Sequence, residues 1–290
     1  IAYQTAWLKT HYPAEFLAAT LSSDMDNTDK VVNFLQDCKN FDIEVIPPDV
    51  NASSYKFKAL NRHTIRYGLG AIKGVGEGAC DAISIERTNA GPYLDLLDFC
   101  RRVDSSKLNK RVLEALIHSG ALDSFGSNRA SLAMQLPEVL KATEQMAKEA
   151  LSGQVSLFGS SPSASIQIDL VQVSDWSFED KLKAERDTLG YFLSGHPLDP
   201  WKNELKQLSA CALSDIEKIW QERKDRRGEA LVVVAGIIST MRRRGENQAF
   251  VLIEDQQTGL ECAFFNEAFV ESAGMLPRDR IVFIEGNVRE

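Results

Sequence analysis

The chain has 290 residues, 33 Lys and Arg against 41 Asp and Glu, and a net charge of −8. At roughly 100–200 residues per domain this predicts two or three domains, and an apolar fraction of 44% with 26% charged residues excludes a disordered or collagen-like chain. No apolar run approaches the ~20 residues of a membrane span, and the acidic total argues against a uniformly basic nucleic-acid binder, though not against a local basic patch.

The first residues read as helix interior without a cap. Pro13 suits the first turn of a second helix over residues 14–21. Asn27 or Thr28 can cap a third, in which Val31, Phe34, Leu35 and Cys38 fall at i, i+3, i+4 and i+7. Pro47 and Pro48 end that periodicity, and Tyr55, Phe57 and Ala59 alternating with lysines predict a short β excursion that continues through residues 64–67. Short helices joined by glycine turns follow to about Gly126, then a long amphipathic helix over 129–151. Residues 152–165 are rich in Ser, Gly and Pro and read as a linker. Helical patterns return over 178–193 and 201–208. After Gly228 four β runs follow (231–234, 250–253, 260–264 and 281–284), with a helix before the fourth. That order is an OB-type barrel without its fifth strand. The uncapped start and the unfinished barrel read as a piece of a longer polypeptide.

The strongest local motif is Lys73-Gly-Val-Gly-Glu-Gly78, a Gly-Val-Gly turn between an apolar helix and a helix with Ala79, Ala82 and Ile83 inward. This is the helix-hairpin-helix pattern. Gly74 and Gly76 permit a tight turn at a helix N-terminus, where free backbone N–H groups accept a phosphate without reading bases. Lys73, Gly74, Val75, Gly76 and Gly78 are therefore candidate phosphate binders. Gly74-x-Gly76-x-x-Ala79 also fits a degenerate dinucleotide fingerprint, with Asp95 or Asp98 about 20 residues on; a ligand-free glycine turn is the plainest alternative.

A weaker second copy is expected in the helix at 108–117 followed by a turn at His118 to Gly120. Arg101, Arg102, Lys107, Lys110 and Arg111 surround it with only Asp104 opposing, which makes either a basic DNA patch or a solvated helix face. In the linker, Gln154-Val-Ser156-Leu157-Phe158 exposes two apolar side chains that are costly unless bound. This is the peptide pattern that bacterial sliding-clamp pockets accept; a linker folding back on its own domain is the alternative. Arg242, Arg243 and Arg244 are expected in a basic loop between the first two barrel strands, with Phe250 or Phe264 stacking on a base; a place in the core is the alternative for Phe264.

Two sites are set aside. Asp24 and Asp26 resemble a metal-binding pair, but Asp29 and Leu35 occupy the glycine and glutamate positions of a calcium loop, so a helix-capping loop is expected. His11, His63, His118 and His196 show no nucleophile or ligand partner. The five scattered cysteines (Cys38, Cys80, Cys100, Cys211, Cys262) lack a Cys-x-x-Cys pair, arguing against zinc and for reduced thiols.

Together these residues resemble a known family, the alpha (polymerase) subunit of bacterial DNA polymerase III. The resemblance is carried by Ala2-Tyr-Gln-Thr-Ala-Trp-Leu-Lys9 with Tyr12-Pro-Ala-Glu-Phe16, by Pro47-Pro-Asp-Val-Asn51 with Tyr55, by Ile65-Arg-Tyr-Gly-Leu-Gly-Ala-Ile-Lys-Gly-Val-Gly76, and by Leu189-Gly-Tyr-Phe-Leu-Ser-Gly-His-Pro-Leu198. It implies a multidomain α+β chain, with a mainly helical N-terminal part carrying tandem helix-hairpin-helix motifs ahead of a partial OB-type barrel. The implied domains are the end of the fingers (1–50), the tandem helix-hairpin-helix domain (51–151), a linker with the clamp-binding peptide (152–165), a helical connector (166–228) and a truncated OB domain (229–290). The resemblance implies a cytoplasmic bacterial protein whose partners are double- and single-stranded DNA, the sliding clamp and other polymerase III holoenzyme subunits, with no membrane. The parent would be a DNA-directed DNA polymerase using Mg²⁺ at palm carboxylates upstream of this stretch; this piece alone would be inactive and hold no cofactor. An error-prone relative of the same polymerase, and a non-catalytic adaptor with helix-hairpin-helix and OB modules, are the other readings.

Overall fold

The computed structural model describes residues 1–152, 172–208, 210–224, 228–255 and 258–289. The pentapeptide at Gln154, Ser156, Leu157 and Phe158 lies outside them. The chain divides into two units, Ile1–Leu193 and Ser194–Glu290, each with its own apolar core.

The first unit opens with helices α1 (Ala2–His11), α2 (Pro13–Ser23) and α3 (Thr28–Asn40). Pro13 starts α2, where a missing N–H costs nothing. Asn27 caps α3 by accepting from the Lys30 N–H, and Asp24 pairs with Lys30 Nζ at 2.6 Å, so this acidic loop ends one helix and starts the next. Strands β1 (Glu44–Ile46), β2 (Lys58–Asn61) and β3 (Thr64–Arg66) form a small sheet in the order β1-β3-β2, with β1 parallel and β2 antiparallel to β3. Helices α4 (Glu77–Ala90), α5 (Leu96–Arg102), α6 (Lys110–His118), α7 (Arg129–Ser152) and α8 (Phe178–Leu189) follow. Asp95, Asn109 and Ser177 cap α5, α6 and α8 through side-chain oxygens, each worth about 1 kcal/mol. The helix expected ahead of the Gly-Val-Gly turn is only a single 3-10 turn over Leu69–Ala71. Glycine is required on both sides of Leu69: a Cβ on Gly68 or Gly70 would lie within 3 Å of the Tyr55–Phe57 backbone or the Tyr55 ring, so two stretches of main chain run in contact there.

In the second unit α9 (Lys202–Gln207) and α10 (Ile216–Arg223) precede β4 (Ala230–Arg243), β5 (Gln248–Glu254), β6 (Gly259–Phe265), α11 (Asn266–Ser272) and β7 (Ile281–Val288). The strands pair antiparallel in the order β6-β5-β4-β7, leaving β6 and β7 as edges of an unclosed sheet. Strand β4 has 14 residues, pairing with β7 along its first half and with β5 along its second, across a bulge near Ser239. His196 sits in a turn before Pro197, its Nδ1 accepting from the Leu198 N–H at 3.2 Å.

Candidate nucleic-acid interface

The first hairpin presents backbone rather than side chains. Val75 turns into the core while Lys73, Gly74, Gly76, Glu77 and Gly78 are exposed. Gly74 has φ +90, a conformation that side-chain-bearing residues rarely adopt, and the Val75 N–H closes the turn onto Ile72 O at 3.0 Å. Gly76 is the N-cap of α4 and brings no side chain to cap with, so the first-turn N–H groups of Glu77 and Gly78 lack an intrahelical partner. A Cβ on Gly76 would meet nothing within 4 Å. The space in front of these N–H groups is open.

Two cations of the next hairpin reach this space. The Arg111 Nε lies 3.9 Å from where a Cβ on Gly74 would stand, and the Lys107 Cδ lies 3.8 Å from the same point on Gly78. Lys107 belongs to the loop before α6 and Arg111 to its first turn, so the pair α5–α6 is what converges on the first hairpin. Among the described residues none of Lys73, Lys107 and Arg111 is held in an ion pair. Lys110 faces Glu114 across 3.5 Å on an exposed helix surface, a contact worth little.

Four expectations need correction. Arg101 and Arg102 are not part of an open basic patch. Arg101 pairs with Asp98 at 3.0 Å. Arg102 pairs with Glu86 and Asp98, donates to the carbonyls of Pro92 and Gly91, and stacks 4.6 Å from the Tyr93 ring centroid. Burial works against the Asp98 carboxylate, but the Leu94 N–H and the two guanidinia outweigh it and hold its pKa below the usual carboxylate range. Asp95 caps α5 and Asp98 is committed to these arginines, so neither is available to a dinucleotide ribose.

Second, the turn at His118 to Gly120 is closed. Gly120 has φ +78, and a Cβ there would stand 2.2 Å from the Arg129 guanidinium. Arg129, 7% exposed, pairs with Asp123 at 2.8 Å and with the fully buried Glu185 at 2.9 Å. Third, Arg242 and Arg243 lie within β4 opposite Phe250 and Ala249, not in a loop; Arg244 alone opens the turn, its N–H bonded to Gln248 O. Fourth, Phe264 faces the core of the second unit.

The outward face of that sheet is set by register. Ala249, Val251 and Ile253 of β5 are buried, which turns Phe250 and Leu252 outward. Phe265, missed by sequence reasoning, shares this face and meets Phe250 edge-on at 6.2 Å. Arg242 stands beside Phe250 and pairs with Glu261 at 3.5 Å. Arg243 points the other way, over the Phe269 ring at 5.5 Å. Among the described residues no cluster of three or more His, Cys, Asp or Glu is placed to hold a metal ion, and no helix is long and apolar enough to cross a membrane.

Comparison with known proteins finds both kinds of module in the chain. A helix-hairpin-helix motif family model matches residues 42–132, and an OB-fold nucleic acid binding domain family model matches residues 232–290. A DNA polymerase III subunit alpha from Xylella fastidiosa is 50% identical over 301 aligned residues, covering 100% of this chain and 25% of the relative. The same-named protein of Pseudomonas aeruginosa is 38% identical, covering 100% of this chain and 26% of the relative. That of Escherichia coli K12 is 39% identical, covering 99% of this chain and 25% of the relative. Over its whole length, therefore, the chain is similar to a quarter-length portion of DNA polymerase III alpha subunits, with a helix-hairpin-helix motif ahead of an OB-fold nucleic acid binding domain.

Proposed function

We propose that this chain is the DNA- and clamp-holding portion of a DNA polymerase III alpha subunit. The observation that carries the reading is the convergence of Lys107 and Arg111 on the open, glycine-lined N–H groups of the first hairpin. Backbone amides, a helix N-terminus and three unpaired cations suit a phosphate and read no base, so duplex would be held independently of sequence. On the second unit, Phe250 and Phe265 offer stacking surfaces beside Arg242, an arrangement suited to single-stranded DNA. Leu157 and Phe158 would enter an apolar pocket of the sliding clamp, with Gln154 and Ser156 making polar bonds at its mouth. A short peptide of this kind binds at about micromolar strength, ~8 kcal/mol. DNA already held by the hairpins raises its effective concentration and converts weak contact into lasting attachment.

Template-directed nucleotidyl transfer would belong to the parent polymerase, whose Mg²⁺ would sit on palm carboxylates outside this stretch. The described residues offer no carboxylate cluster that fits such ions. Other holoenzyme subunits and a cytoplasmic setting follow from the same reading.

The test is a titration of the 290-residue chain with two duplexes of unrelated sequence across a range of salt. Equal affinities are expected, with a log–log salt slope of about −3 from the three cations. No binding at low salt, or a slope near zero, overturns the reading. With purified clamp as the ligand, Leu157→Ala with Phe158→Ala should abolish the calorimetric signal; unchanged affinity removes the clamp contact.

A further inference from the structure

Helix α8 lies 100 residues beyond the first hairpin in sequence, yet the two are hydrogen-bonded. The Lys73 N–H, at the entry to the Gly-Val-Gly turn, donates to Thr188 O at 2.9 Å. The last carbonyls of a helix lack intrahelical donors, so this bond serves both partners, and it lies at the buried end of α8. Tyr67, fully buried just before the hairpin, donates its hydroxyl to Leu189 O at 3.5 Å. Gly190, with φ +74, then ends α8 against Thr28 and Val32 of α3.

A buried charge also ties α8 down. Glu185 is fully buried; its Oε1 accepts from Arg129 Nη1 at 2.9 Å and its Oε2 from the Leu193 N–H at 2.8 Å. Arg129 is in turn forked onto Asp123 through Nε and Nη2. Glu185 and Thr188 are three residues apart and therefore on one face of α8. Fixing the rotation and height of α8 at Glu185 fixes where the Thr188 carbonyl stands. Buried ion pairs contribute little net stability over apolar residues of similar volume, and their better-attested use is to specify one arrangement.

We propose that Glu185 and Arg129 are positioning residues for the first hairpin, acting through α8 to hold the Lys73–Gly78 backbone in its phosphate-accepting shape. This rests on the phosphate-gripping role proposed above. Neither residue touches the ligand. Their effect is to keep the hairpin from sampling shapes in which its N–H groups diverge.

The experiment uses the full 290-residue chain with two variants, Glu185→Gln and the charge-free pair Arg129→Met with Glu185→Leu. Amide hydrogen exchange at Lys73 and duplex affinity are read together, with thermal unfolding as the check on folding. The charge-free pair should stay folded while Lys73 exchanges about tenfold faster and duplex affinity falls about tenfold at an unchanged salt slope. Glu185→Gln should move both in the same direction, and it decides the matter if the pair does not fold. Wild-type exchange and affinity in the folded variants overturn the inference, as does faster exchange with unaltered affinity. Failure of the wild-type chain to hold duplex at all is a different result, and overturns the phosphate reading itself.

Discussion

The turn at Gly74–Gly76 and the turn at Gly120 use the same residue for opposite ends. Both carry a glycine at positive φ, +90 at Gly74 and +78 at Gly120, next to the start or end of a helix. At the first, a Cβ would meet only the Arg111 side chain at 3.9 Å, and at neighbouring Gly76 nothing at all. At the second, a Cβ would stand inside the Arg129 guanidinium, whose partners Asp123 and Glu185 are already in place. One glycine leaves room for something that comes from outside; the other leaves room for the protein's own cation. A glycine turn is therefore a candidate phosphate site only when the space it creates is still open in the folded chain.

The contrast can be broken in three places. Gly120→Ala carries the largest expected effect. The left-handed backbone alone costs Ala about 1–2 kcal/mol, and displacing Arg129 from a buried carboxylate adds about 3–5 kcal/mol. Urea unfolding should show a loss of about 4 kcal/mol or more, and a variant within 1 kcal/mol of wild type would mean the guanidinium moves aside freely. Gly76→Val should do the reverse. Its φ of −85 suits a branched residue, so folding loses only the ~1 kcal/mol of a poorer cap, while duplex affinity drops more than about tenfold because the isopropyl group fills the approach to the N–H groups. If fluorescence anisotropy shows duplex binding intact, the first hairpin is structural only. The smallest effect sharpens the picture. Lys107→Ala with Arg111→Ala should leave unfolding unchanged and reduce the steepness of the salt dependence by about two; an unaltered slope would place the phosphates elsewhere.

The first hairpin was legible because its signal is local: Gly74, Val75 and Gly76 followed by the inward spacing of Ala79 and Ile83 report their own backbone. The basic patch was only half legible. Sequence counts charges but does not say which are already committed, and Arg102 is turned onto Glu86, Asp98 and two carbonyls by contacts across 4 to 16 residues. The closure of the second turn was hidden for the same reason, since Glu185, which helps to close it, lies 56 residues from Arg129. In the second unit the apolar run at 231–234 marked where β4 begins, but not that it continues to Arg243. Charged residues extend a strand without interrupting it when they face outward, as Arg242 does. Phe264 and Phe265 are adjacent, so alternation sends one in and one out, and only pairing with Ala249 and Gln248 settles which.

The hydroxyl of Tyr67 and the carbonyl of Leu189 meet across 122 residues of chain, and this has a consequence for how the protein is made. A ribosome adding roughly 5–20 residues per second takes on the order of ten seconds to cover that interval. During it the hairpin exists as nascent polypeptide whose Lys73 amide lacks its distant partner, and the Arg129 guanidinium, made later in the interval, waits in turn for Glu185. Long-range closures of this kind are late events because the loop entropy must be met before the contact forms. The hairpin is thus synthesised well before it is set, and a protease pulse on chains arrested before and after α8 would date that moment.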